Sequence, residues 1–319
     1  MSIVVMGAVF VDIKGYPLSP FIPAGRNVGR VVQVHGGVCR NVAEDIANIG
    51  LDAVLLSVVD ESGTGRDVIE HLDRQGVDTR YVQRREDGMG TWLAIFDNNG
   101  DVAASISRRP ILDDVLTVLK EKGDEIFANA DSVVVEIDME VPILEEMFRL
   151  AHKYDIPVYA VVSNMSIALQ RREMLEMTGC IVCNKQEAGL LFSEDYSEKS
   201  AEEMCAMLPE KVARADFERM IVTMGGEGAV YASSDGDSGF CPAQKVDVID
   251  TTGAGDAFFA GAAAALTFGR SLEEACRIGT RLAGLVIATD ENTCPVFRPE
   301  EFGFPAGSGH RHLHEGDHK

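Results

Sequence analysis

From residue 132 onward, short apolar runs alternate with stretches of helical period. That alternation constrains the fold more than any other feature. Residues 132–137, 158–162, 180–183 and 220–223 read as strands; 141–154 and 201–213 read as helices. Strands separated by helices pair in parallel, because a parallel return needs a crossover of a dozen or more residues. The expected class is therefore α/β: a doubly wound, mostly parallel sheet flanked by helices. Ligands bind such sheets beyond the strand carboxyl ends. Asp12, Asn184, Thr223 and Asp256 fall at or just past expected strand ends, so one crevice can collect them.

The first third is less regular. Residues 2–11 read as a strand ending at Asp12. Residues 13–34 carry Gly15, Pro17, Pro20, Pro23 and Gly25, which reads as loops and short strands. Gly36-Gly37 then opens a helix with Arg40 and Asn41 in its first turn and Val42, Ile46 and Ile49 at helical spacing. A strand over 53–59 and a helix over 65–75 follow. Residues 91–96, the turn Asp97-Asn98-Asn99-Gly100 and residues 102–106 form a hairpin. With 13–34 it makes a small antiparallel lid, spanning about 13–34 and 89–108. One domain is expected over 1–303. Residues 304–319 read as a mobile tail, and His310, His312, His314 and His318 as part of it rather than as a metal site.

The chemistry concentrates in Asp250-Thr251-Thr252-Gly253-Ala254-Gly255-Asp256. This stretch lies between an alternating run, 246–249, read as a strand, and a nearly all-apolar helix, 257–268. Glycines let backbone N–H groups close on a ligand, and a helix N-terminus favours an anion. A carboxylate there repels a phosphate unless it takes a proton from the attacking group, as in a kinase acting on a hydroxyl. The bland role for Asp256 is a helix cap. Asn184-Lys185-Gln186-Glu187 follows a buried strand. Glu187 can order water around Mg²⁺, or the pair can simply cap a helix. Thr223-Met224-Gly225-Gly226-Glu227-Gly228 reads as a strand, a glycine turn and a second strand, either a plain hairpin or a surface for a nucleotide.

Composition excludes several classes. The chain has 29 Lys and Arg against 51 Asp and Glu, a net charge of −22. That disfavours nucleic acid and anionic membranes as partners. No apolar run reaches spanning length, and residues 1–11 lack the basic leader of a signal peptide. Seven scattered cysteines suit reduced thiols in the cytoplasm. Cys180 and Cys183 lack a second ligand pair for zinc and read as buried strand residues. No Gly-Lys-Ser/Thr follows the Thr223 turn and Gly7 stands alone, so neither a P-loop nor a dinucleotide turn is present.

Gly36-Gly37 with Asn41, Asn184 with Glu187, Thr223-x-Gly-x-x-Gly and the Asp250–Asp256 motif resemble, in order, those of the ribokinase-like (PfkB) carbohydrate and nucleoside kinases over residues 2–298. Gly36-Gly37-Val38-Cys39-Arg40-Asn41 and Val11-Asp12-Ile13-x-Gly15 look most like the pseudouridine kinases. The resemblance implies ATP and Mg²⁺ as cofactors, K⁺ as a further ion, and a lid shared in a homodimer. It makes Asp256 the base and gives the transferring phosphoryl group to the N–H groups of Gly253, Ala254 and Gly255. Asp12, Gly36, Gly37, Arg40 and Asn41 then hold the nucleoside or sugar. Asn184 and Glu187 organise Mg²⁺, and Thr223, Gly225 and Gly228 line the nucleotide. Asp250 and Thr252, with 289–294, resemble a monovalent-cation site. Three positions depart from the pattern: Phe10 where many relatives have Asn, Val161 where an Asp is common, and Asp138 one place from the usual polar pair. The reading is phosphoryl transfer from ATP to a primary hydroxyl of a nucleoside or sugar, with pseudouridine the first candidate. A free furanose sugar as acceptor, or a non-catalytic ligand sensor on this fold, are the alternatives.

Overall fold

The computed structural model describes residues 1–99 and 101–307. Gly100 and the histidines of the tail lie outside them. In chain order the strands are β1 (Ser2–Met6), β2 (Phe10–Pro17), β3 (Gly29–Gly36), β4 (Asp52–Leu56), β5 (Val58–Asp60), β6 (Gln83–Arg85) and β7 (Gly90–Phe96). They continue as β8 (Val102–Arg108), β9 (Ser132–Glu136), β10 (Val158–Val161), β11 (Cys180–Asn184), β12 (Arg219–Thr223), β13 (Gly228–Ser233) and β14 (Ser238–Pro242). Eight of them form one sheet, in the order β14-β13-β12-β11-β10-β9-β1-β4. The pairs from β12 to β4 are parallel and those of β13 and β14 antiparallel, as the alternation predicts. Strands such as β1 and β9 are almost continuously apolar because helices cover both faces. Cys180 and Cys183 point to opposite faces of β11, into separate apolar clusters. All seven cysteines are free thiols. No helix among the described residues is long and apolar enough to cross a membrane.

The lid is a four-stranded sheet ordered β3-β2-β7-β8. Its two antiparallel pairs are joined by a parallel pairing of β2 with β7. The Thr91 hairpin is present, and 13–34 supplies strands on either side of a loop, the strands longer than expected: β2 and β3 are each eight residues long. The expected strand 2–11 also divides. The chain leaves the main sheet after Met6 and enters the lid at Phe10, so Asp12 lies inside a lid strand, not at a strand end. A helix over Asp113–Phe127 was not anticipated.

The expected strand at 246–249 is absent. Val248 and Ile249 are exposed, and Ile249 N–H bonds Ile287 O at 2.8 Å. The sheet ends at β14, and this segment runs instead beside the helix Leu272–Ile287. The helix Ala254–Thr267 is buried from Ala257 to Leu266. A helix that is apolar all round belongs in a core. It carries the Asp256 motif into the crevice. Phe304 is buried, its ring 4.7 Å from that of Phe268, so packed chain extends past residue 303.

Candidate active site

Gly253 opens the Asp256 helix with φ 80°, and a Cβ there would lie 2.1 Å from Asn292 O. Both the backbone conformation and the space require glycine. Asp256 then stands at the third helical position. Its carboxylate accepts a hydrogen bond of 2.6 Å from Asn41 Nδ2. Burial pushes its pKa up to about 6, against the pull of the Asn41 bond and the charge of Arg40. A carboxylate titrating near neutrality is suited to general-base work.

Asn41 lies in the first turn of Val38–Asn48. Gly36 makes room for the Asp12 carboxylate, since a Cβ there would sit 2.7 Å from Asp12 Oδ1. Burial raises the pKa of Asp12, with Lys14 and Arg40 opposing. Asp12, Gly37, Asn41, Thr252, Gly253 and Asp256 line one cavity of about 640 Å³, a ligand-sized volume. Phe10 and Trp92 join them from the lid, and Asn292 from the loop before Cys294. Asp12, Trp92 and Ser107 are register partners on neighbouring strands, so one face of the lid covers the cavity.

Arg40 is held by partners inside the protein. Its side chain is buried rather than on the helix's outer surface, and it lines a cavity with Lys14, Asp250 and Thr252. Nη1 pairs with Glu44, and Nη2 donates to His35 O at 2.6 Å and to Asn292 Oδ1 at 3.3 Å. Asn292 Nδ2 in turn donates to His35 O at 2.8 Å and to Asn41 Oδ1 at 3.4 Å. Arg40 is thus a positioning residue behind Asn41. Burial works to raise the pKa of Glu44, but the bond with His71 and the charge of Arg40 hold it below the usual value. Asn292 falls in the 289–294 segment singled out for a cation, but its bond to Asn41, 251 residues away, carries no sequence signal.

Asp250 accepts from Thr252 N–H at 2.9 Å and Thr252 Oγ at 2.8 Å. These bonds and Lys14 outweigh burial and lower its pKa. Both residues line a smaller cavity of about 240 Å³ with Lys14, Asp290 and Glu291. Ala254 N–H reaches Thr251 O at 3.3 Å, while Gly255 is exposed.

The expected nucleotide residues form a second group that lines neither cavity. Asn184 and Thr223 are register partners at the ends of β11 and β12. Asn184 and Glu187 form a reciprocal capping box: Asn184 Oδ1 accepts from Glu187 N–H at 2.9 Å, and Glu187 Oε2 from Asn184 N–H at 2.8 Å. Gly225 has open space around it, and Gly228 begins β13. Among the described residues no group of three or more His, Cys, Asp or Glu could hold a metal ion. Mg²⁺ brought in by phosphates keeps most of its waters and needs no such cage, which fits one partly buried Glu187.

Sequence reasoning missed Glu136. It ends β9 as the register partner of Val161, so a carboxylate stands beside the place left apolar. Its Oε2 accepts from Ala8 N–H at 2.5 Å. Burial, then the charges of Asp138 and Asp256, push its pKa well above the carboxylate range. Asp138 accepts from Ser163 Oγ and from Arg109 Nη2, and all these residues line the larger cavity. Val161 itself is buried.

Residues 1–295 match the model of the pfkB family carbohydrate kinases. A guanosine-inosine kinase of Exiguobacterium acetylicum is 34% identical, over 91% of this chain and 96% of its own length. A pseudouridine kinase of Escherichia coli is 25% identical, over 92% of each chain. The ribokinase of Arabidopsis thaliana, solved with ribose and ATP, superposes with a TM-score of 0.76 at 20% identity, covering 92% of this chain and 95% of that one.

Proposed function

The chain belongs to the pfkB family of carbohydrate kinases, and we propose that it transfers the γ-phosphoryl group of ATP to the primary hydroxyl of a ribonucleoside. One observation carries this reading: Asp256, with its raised pKa and its bond from Asn41, shares a 640 Å³ cavity with Asp12 and two aromatic side chains, Phe10 and Trp92. Asp256 takes the proton of the attacking hydroxyl. Asn41 holds the carboxylate in place and, with Asp12, meets the ribose hydroxyls, which both donate and accept. The N–H groups opening the Asp256 helix receive the transferring phosphoryl group, a fixed positive dipole where charge moves. Phe10 and Trp92 give a planar base apolar contact that a free sugar does not use.

Pseudouridine is favoured by motif. The higher identity to a guanosine-inosine kinase moves a purine nucleoside ahead of it. ATP would lie towards Thr223, Gly225 and Gly228. Mg²⁺, when bound, neutralises phosphate charge, and Asn184 and Glu187 would hold it through water. Asp250, Asp290 and Glu291 around the smaller cavity offer carboxylates suited to K⁺. A homodimer through the lid is supported by its outward face, where Val31, Leu93, Ile95 and Ile106 are exposed. Seven free thiols support a cytoplasmic setting.

The test is an ATP-consumption assay over ribonucleosides, their 2′- and 3′-deoxy analogues and free sugars. A higher kcat/KM for a ribonucleoside than for ribose is expected, with activity lost in the deoxy analogues because their absence leaves polar groups unpaired. Equal or better turnover of ribose would make this a sugar kinase.

A further inference from the structure

Glu140 holds the N-cap position of the helix Val141–Tyr154, yet its side chain makes no capping bond. Its Oε2 is buried with no hydrogen-bond partner, in the wall of the larger cavity. An acceptor removed from water and left unpaired costs free energy that a ligand donor can recover. Beside it in the same wall is Asp138, its side chain 3% exposed, with Ser163 Oγ 3.0 Å from each carboxylate oxygen. Arg109 Nη2 bonds both Asp138 Oδ2 and Asp138 O at 3.1 Å. The wall therefore offers two carboxylates and one guanidinium to a ligand in the cavity. The matching edge is rich in N–H donors and carries one carbonyl.

Resting on the ribonucleoside reading, we propose that this wall recognises a 2-amino-6-oxopurine, with Glu140 accepting from the exocyclic 2-amino group. Asp138 accepts from the ring N1–H, and Arg109 donates to the 6-carbonyl. Hypoxanthine has the same edge without the amino group and leaves Glu140 unpaired. Adenine replaces the ring N–H with a bare acceptor, which faces Asp138 unfavourably. A carboxylate receiving a purine N–H pair is a charge-assisted bond, stronger than a neutral one.

The experiment measures kcat/KM and, by calorimetry, Kd for guanosine, inosine, adenosine and ribose with the parent, Glu140→Ala and Glu140→Gln. The parent is expected to prefer guanosine over inosine by about tenfold, the worth of one bond to a charged acceptor. Adenosine should fall below both. Glu140→Ala should bring the guanosine-to-inosine ratio close to one. A residue that merely steadied the helix would lower guanosine and inosine together and leave their ratio intact, and that result overturns the proposal. So does a parent that treats the two alike. Turnover of ribose with no binding of any nucleoside would instead bring down the underlying nucleoside reading. Glu140→Gln keeps the side-chain volume and a neutral acceptor, so it should retain part of the guanosine preference that Glu140→Ala loses; a ratio equally collapsed in both variants would point to the charge alone.

Discussion

Asp256 and Glu187 occupy the same place in two different helices. Each is the third residue of a helix that opens beside the crevice. Their surroundings send them opposite ways. Asn184 caps the Glu187 helix, so Glu187 folds back to the cap N–H and completes the box. Gly253 caps the Asp256 helix and has no side chain to reciprocate. Asp256 turns outward to Asn41, 215 residues away in sequence, and is desolvated there. The cap residue thus decides whether a carboxylate at this position closes a helix or lines the cavity. Stability is invested at Asn184; at Gly253 a carboxylate is held above its ordinary pKa, ready to accept a proton.

The largest test of that contrast is Asp256→Asn. The amide can still accept from Asn41, so the fold should hold, while kcat falls about 10²–10⁴-fold, the usual cost of removing a general base. The parent rate should rise with pH through about 6 and then level, because the carboxylate must be deprotonated to act. The linkage to stability has the opposite sense. The folded pKa lies above the unfolded one, so deprotonation between about pH 4 and 6 weakens the fold. Asp256→Asn escapes that loss and should melt no lower than the parent at pH 8. A variant that turns over at the parent rate would leave Asp256 with a structural role alone.

Next in size is the support behind Asn41. Arg40→Met leaves Glu44 buried without its guanidinium, and breaking a buried pair costs about 3–5 kcal/mol. Urea unfolding measures it, and adding Glu44→Gln should restore part of the loss. A cost under about 1 kcal/mol, as at a surface pair, would return Arg40 to solvent. A smaller effect follows from Asn41→Ala. The Asn41 bond lowers the pKa of Asp256, so its removal should move the acid limb of the pH–rate profile upward.

The same contrast explains what the sequence made legible. The parallel sheet was readable because the interiors of β1, β9 and β11 are buried on both faces and therefore apolar. The Asp250–Asp256 turn was readable because glycine is required where φ is 80° and Asn292 O crowds the chain. The lid was legible as loops and short strands at 13–34, but the length of β2 was not, because its half-exposed residues are interrupted by Gly15 and Pro17 although it pairs on both sides. The strand expected at 246–249 followed from alternation alone; periodicity cannot tell whether a sheet neighbour exists. The buried pairing of Arg40 was not legible because its partner Asn292 comes from a distant loop. Glu136 escaped because a carboxylate at a strand end carries no local mark of the burial that sets its protonation.

Glu187 gives the smallest and most discriminating effect. Glutamine also closes a capping box, since its amide oxygen accepts from the cap N–H. Glu187→Gln should therefore change stability by less than about 0.5 kcal/mol, within the range of a silent substitution. Glu187→Ala opens the box and should cost about 1 kcal/mol, as a lost cap does. The charge is a separate matter. Burial raises the pKa of Glu187 while the Asn184 N–H opposes it, so the ionised carboxylate is held at some cost beside the ends of β11 and β12. If that charge orders water on Mg²⁺, Glu187→Gln raises the Mg²⁺ concentration for half-maximal rate at unchanged stability. Titrating Mg²⁺ at fixed ATP separates the two roles. An unchanged Mg²⁺ dependence would leave Glu187 as a cap alone and make the division between the two helices complete.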